Sequence, residues 1–306
     1  MPETCGAVCM SRSGLLSGGN DTEMVNNSIN SFRSINKNFA VETFPKNQQR
    51  KRYLMQDPPN PEIYVSLLAR LTTEGGHWLQ TIRSGGGTST RAFQYDLQRP
   101  HYQSSVGVKG LYGCTAVVIA SNAGVFASYI WEIPIFRFRD GRPQTYEYFD
   151  ANVFDVLADG NPTDAARSVG FRTLLGQGAM LSDQMRPVIF IITPYTTDRE
   201  RRVLERLGIA TRFRYQGLVN RLAAQLRANI PSRKAPQILG YERPVTEQTL
   251  DGESGVGKAI VEVDQALVEI RQGRRRIPGI KGSWRLWYEE QIIFEQHYSY
   301  PRPMPD

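Results

Sequence analysis

The chain has 306 residues, 40% of them hydrophobic, which is enough for a real core, and no apolar run approaches the roughly 20 residues that span a bilayer. Its 37 Lys and Arg against 30 Asp and Glu leave a net charge of +7. That balance invites nucleic acid, but the basic clusters, Arg50–Arg52 and Arg271–Arg276, lack the interleaved aromatics that stack bases, so no nucleic-acid partner is expected.

In chain order, residues 1–60 are rich in Asn, Ser, Lys and Arg and close on Pro-Pro-Asn-Pro, which reads as a flexible tail. The opening MPETCGAVCMSRSG has neither a basic n-region nor a long apolar stretch, so no signal peptide is expected and the location is cytoplasmic or open. From 61 to 306 the chain reads as one domain. A helix is predicted over 62–83, with Ile63, Leu67, Leu71 and Leu79 on one buried face. Strands follow from 88 to 136, then a turn at Asp140-Gly141 and a helix over Ala151–Leu157. Asp150 and Asp155 flank that helix as ordinary caps. Pro187–Thr193 (PVIFIIT) is a buried strand. Helices at Asp198–Leu207 and Tyr215–Ile230 come next, the second burying Leu218, Leu222 and Leu226.

Strands return at Ala259–Val263 and at Trp284, Leu286 and Tyr288, followed by Ile292 and Phe294. Between them, Ile277-Pro278-Gly279 carries turn chemistry. Mixed strands and helices without a regular βαβ beat predict an α+β fold: a mixed, largely antiparallel, sandwich-like sheet core flanked by helices.

Gly252–Lys258 fits the spacing G-x-x-x-x-G-K of a phosphate cradle. The hydroxyl that would hold Mg²⁺ is replaced by Ala259, and the run AIVEVD after the lysine reads as a strand. The motif is expected to be a loop before a strand.

The stretch LYGCTAVVIASNAGVFASYIWEIPIF, residues 111–136, reads as two strands joined at Asn122-Ala123. Cross-strand partners then have numbers summing to 245, so Ala116 faces Tyr129 and Cys114 faces Trp131. Strand faces alternate, so Cys114 and Tyr129 share a side as diagonal neighbours. Cys114 reads either as a small core residue or as a nucleophile at a strand end. The other cysteines, Cys5 and Cys9, lie in the tail, and three cysteines make no disulfide framework.

Leu111, Gly113 and Cys114 match a Leu-x-Gly-Cys element. With the hairpin behind it, the stretch resembles fungal deamidase-like proteins, which in turn resemble the catalytic domains of cytotoxic necrotizing factor, Burkholderia lethal factor and the chemoreceptor glutamine deamidases. The resemblance is strongest over 108–136 and weaker through PVIFIITP. It implies that Cys114 attacks a glutamine carboxamide and that a histidine some dozen or more residues later activates it. The backbone amides around Gly113–Thr115 would then form an oxyanion pocket. Here the position of that histidine holds Tyr129, and a phenol of pKa near 10 is no base for a thiol at neutral pH.

The expected function is therefore a degenerate, protein-binding deamidase. The alternatives are an active hydrolase of glutamine side-chain amides using another base, or a fold-only relative with Cys114 in the core. The implied partner is a protein, or a protein substrate presenting a glutamine, with no membrane and no small-molecule cofactor. His77, His101 and His297 are the remaining candidate bases. Ser121 and Ser128 have no histidine within hairpin reach, Glu132 points away from the partner of Cys114, and no zinc spacing occurs, so no metal is expected.

Overall fold

The β-branched and aromatic runs of residues 88–94, 115–130 and 188–194, with 237–241, build a five-stranded sheet, and 101–109 joins the three long runs after 258 in a four-stranded one. The computed structural model describes residues 57–79, 87–138, 141–161, 168–243, 254–272 and 275–301. Most of the tail, the cluster at 50–52, Asp140 and Gly252 fall outside these residues. Within them the chain divides into two compact units. One comprises 79, 87–94 and 108–243; the other comprises 57–78, 95–107 and 254–301.

The first unit contains β1 (Thr88–Gln94), β3 (Thr115–Ala120), β4 (Gly124–Ile130), β5 (Val188–Pro194) and β6 (Gln237–Tyr241), in the order β1-β4-β3-β5-β6. Every pair is antiparallel except β5–β6. A parallel pair needs a long crossover, and here it runs through α4 (Asp198–Arg206) and α5 (Gln216–Asn229). All residues of β3, β4 and β5 are buried, as continuous apolar runs in a covered sheet should be. Leu218, Val219, Leu222 and Leu226 form the buried stripe of α5, as the spacing predicts.

The β3–β4 register pairs Ala116 with Tyr129 and Val117 with Ser128, the expected sum of 245. Ser121 fixes the turn. Its hydroxyl accepts from the amides of Ala123 and Gly124 and donates to the Met180 carbonyl at 2.7 Å. The strands end at Ile130, short of the predicted 136, where Trp131–Phe138 becomes loop.

The helical run after Gly141 starts earlier than expected. It comprises α2 (Tyr146–Phe149), a π turn (Asp150–Phe154) and α3 (Asp155–Asp159), and its cap is Thr145, not an aspartate. Asp150 instead binds Arg221 and Gln225 of α5.

The second unit holds α1 (Pro61–Glu74), β7 (Lys258–Gln272), β8 (Arg275–Tyr288) and β9 (Gln291–Pro301). With β2 (His101–Lys109) these strands form the order β2-β7-β8-β9. Asn60 caps α1 by accepting from the Ile63 amide, and Pro61 opens it. The helix ends at Glu74 rather than near 83, because Gly75 and Gly76 (φ +62°) turn the chain away.

Its buried face is Tyr64, Val65, Leu68 and Leu71, packed on Trp78, Ile260 and Trp287. Ile63 is 55% exposed, since Tyr64 and Val65 set the helix rotation instead. Ile277-Pro278-Gly279 is not a turn but part of β8. There Pro278 stands opposite Glu269 of β7. Lys258 begins β7 and donates to the Ser254 carbonyl, which fits a loop and not a phosphate cradle. The sheets and their flanking helices make this an α+β fold. No helix among the described residues is long and apolar enough to cross a membrane.

Candidate functional site

Cys114 sits immediately before β3, two residues from Ala116, and is fully buried. It is disulfide-bonded in the structure. Three cysteines make no framework, yet a single cross-link takes only two, and Cys5 and Cys9 lie outside the described residues. Gly113, before it, has φ +95°, a left-handed conformation that suits glycine. A Cβ here would come under 3.0 Å from the Arg243 guanidinium and the Glu132 carboxylate.

The polar groups around the cysteine are already engaged. The Gly113 amide donates to the Tyr241 hydroxyl at 2.7 Å, and that hydroxyl donates to the Cys114 carbonyl at 2.6 Å. Tyr129, buried and edge-on to Trp131, donates its hydroxyl to the Gly110 carbonyl at 2.7 Å. Thr115 shares a hydrogen bond with Thr193 of β5 at 2.9 Å. Burial pushes the Tyr241 hydroxyl well above the ordinary phenol range, against the pull of Arg243 and the Gly113 amide, so it stays protonated.

Beside these residues lies a charged cluster centred on Glu132, which has no exposure at all. Arg214 donates to its Oε1 at 2.9 Å, Arg137 approaches the same oxygen at 3.3 Å, and the Tyr215 hydroxyl also donates to it. Arg243 comes to 2.6 Å from Oε2 but off the hydrogen-bonding direction, so the pair is ionic without a formed hydrogen bond. Arg214 also takes Glu200 of α4 at 2.6 Å. Two carboxylates thus face three guanidinium groups.

Burial works against the Arg214 charge, yet Tyr215, Glu132 and Glu200 together hold it above its ordinary value. Burial and the Glu132 carboxylate push the Tyr215 hydroxyl upwards. Tyr215 stacks on Phe136 with centroids 4.8 Å apart, which joins the loop after β4 to the start of α5. This cluster was not anticipated from the sequence. The available signal was an acid inside the apolar run WEIPIF, since an ionised group buried there must be paired.

The other predicted candidates lie elsewhere. No histidine belongs to the unit that holds Cys114. His77 Nδ1 lies 3.1 Å from the Ser105 carbonyl, His101 faces Asp264 at 3.8 Å, and His297 faces Glu295 at 3.5 Å, all in the second unit. Ser128 accepts the Val117 amide and Ser121 serves the turn. No group of His, Cys, Asp and Glu suited to a metal occurs among the described residues.

No family model matches the chain, and no curated protein matches it. Among solved structures it is similar to the C-terminal domain of CNFy from Yersinia pseudotuberculosis, at 10% identity and a TM-score of 0.19. That similarity covers 65% of this chain and 58% of the other. A superposition that loose carries no argument, and the functional reading rests on this chain's own residues.

Proposed function

We propose that residues 61–306 form a deamidase-like domain of the cysteine glutamine-deamidase type that binds a protein partner without turning it over. The motif Leu111-Gly113-Cys114 and the β3–β4 register support the type. The observation that carries the loss of turnover is the engagement of both catalytic elements by structure. Tyr129 stands at the place of the expected histidine and donates to Gly110, while the Gly113 amide, a donor of the expected oxyanion pocket, is taken by Tyr241. A tyrosine hydroxyl is no base for the reduced thiol, and with the Gly113 amide engaged a tetrahedral oxyanion loses that donor. The full burial and disulfide of Cys114 favour a second reading, a fold-only relative with this residue in the core.

Ammonia release from glutamine-containing protein extracts, measured with reductant present on wild type, Cys114→Ala and Tyr129→His, separates the readings. A non-catalytic site gives equal release from wild type and Cys114→Ala, and Tyr129→His lowers the thiol pKa by about a unit or more. Release from wild type that disappears in Cys114→Ala overturns the proposal in favour of an active enzyme. No movement of the thiol pKa in Tyr129→His supports the fold-only reading.

A further inference from the structure

Six large hydrophobic side chains are markedly exposed among the described residues, and three of them lie within seven positions: Val203 (51%), Leu207 (68%) and Ile209 (47%). They belong to α4 and the turn that ends it. None of the nine residues of α4 is fully buried, and only Glu200 and Leu204 are half-buried, so the helix lies at the surface. It is held at its base by a capping box between Thr197 and Glu200 and by the ion pair from Glu200 to Arg214.

Val203 and Leu207 are four residues apart and stack on one strip of the helix. Arg199, Arg202 and Arg206 recur at i, i+3 and i+7 and form the adjoining strip. Arg202 donates to the Asp198 carbonyl, and Arg201 pairs with the Asp198 carboxylate at 3.0 Å. None of Arg199, Arg202 and Arg206 has a carboxylate within ion-pair distance among the described residues. Asp198 and Glu205 are the acids beside their strip, and Asp198 is taken by Arg201.

The geometry points to α4 as an interfacial contact for an anionic bilayer surface. The three guanidinium groups engage lipid phosphates, and Val203, Leu207 and Ile209 enter the headgroup–acyl boundary. An acidic protein offers the same charge but needs a groove to enclose a surface helix, whereas a bilayer face yields around it. Absence of a spanning segment does not bear on this mode, which needs only a short helix lying at the surface. The inference is independent of the chemistry of Cys114.

The test is flotation of the full chain with phosphatidylcholine vesicles containing about 30% phosphatidylserine, against phosphatidylcholine alone. Binding is expected to the anionic vesicles only and to weaken as salt rises. Arg199→Ala/Arg202→Ala/Arg206→Ala should weaken it about 100-fold, and Val203→Ser/Leu207→Ser about tenfold. Arg275→Ala/Arg276→Ala, at exposed positions of β8, should leave it unchanged. No substituted residue is buried, and unchanged thermal melting checks that each variant is folded.

Failure of wild type to float with anionic vesicles overturns the inference. So does indifference to the aliphatic substitutions, or an equal loss in Arg275→Ala/Arg276→Ala, which marks adsorption by net charge. Tighter binding to poly-glutamate than to the vesicles puts an acidic protein in place of the bilayer.

Discussion

Glu132 is held in the interior by Arg137, Arg214, Arg243 and Tyr215. Glu132→Gln removes the charge and leaves three guanidinium groups without their shared counterion. A broken buried pair costs about 3–5 kcal/mol, and urea denaturation should show a loss in that range. A loss under about 1 kcal/mol would mean that water reaches the cluster. Gly113→Ala should cost at least about 2 kcal/mol, because the left-handed backbone and the contacts with Arg243 and Glu132 both resist a methyl group.

Asp264 behaves oppositely to an ion-paired acid. It is buried in the second unit, faced by Gln103, His101, Glu262 and Arg285, and burial raises its pKa well above the ordinary value. The folded state therefore holds the proton more tightly than the unfolded chain. The stability so gained is full below the unfolded pKa and is lost as pH rises towards the folded one. Asp264→Asn should be more stable than wild type at pH 7.5, with the difference shrinking at pH 4. Equal effects at both values would refute a proton-linked origin.

At the scale of elements, the β3–β4 hairpin is the part of the molecule most legible in the sequence. Its apolar runs, its Asn122-Ala123 turn and its period of two fixed the pairing of Ala116 with Tyr129. The four-residue rhythm of α5 was equally readable. The rotation of α1 was not, because its apolar residues permit more than one stripe and only the packing on Trp78 and Trp287 selects Tyr64 and Val65.

Pro278 misled for a related reason, since its place opposite Glu269 in the β7–β8 pairing is one that local sequence does not carry. The Glu132 cluster draws on segments up to 111 residues apart, Glu132 and Arg243 being the extremes, and no local pattern connects them. The turn is the sensitive point of the hairpin. Ser121→Ala removes the acceptor for two amides and the donor to Met180, and should destabilise by about 1–3 kcal/mol with the register unchanged.

On the scale of the whole molecule, each compact unit has a buried polar centre of its own. Glu132 serves in the first, and Glu262 with Arg285, Trp287 and Tyr64 in the second. The cysteine and the histidines are divided between the units, with every imidazole in the second. The central claim, that Cys114 is neither accessible nor activated, is tested most directly by its alkylation. The full chain, reduced but not unfolded, is treated with iodoacetamide at pH 6.5, and labelling of the Cys114 peptide is followed by mass spectrometry against the same chain in urea. A buried thiol without a base should label at least about 100-fold more slowly in the native protein than in the unfolded one. Native labelling as fast as that of the unfolded chain, or faster, would show an exposed and activated thiolate and contradict the account.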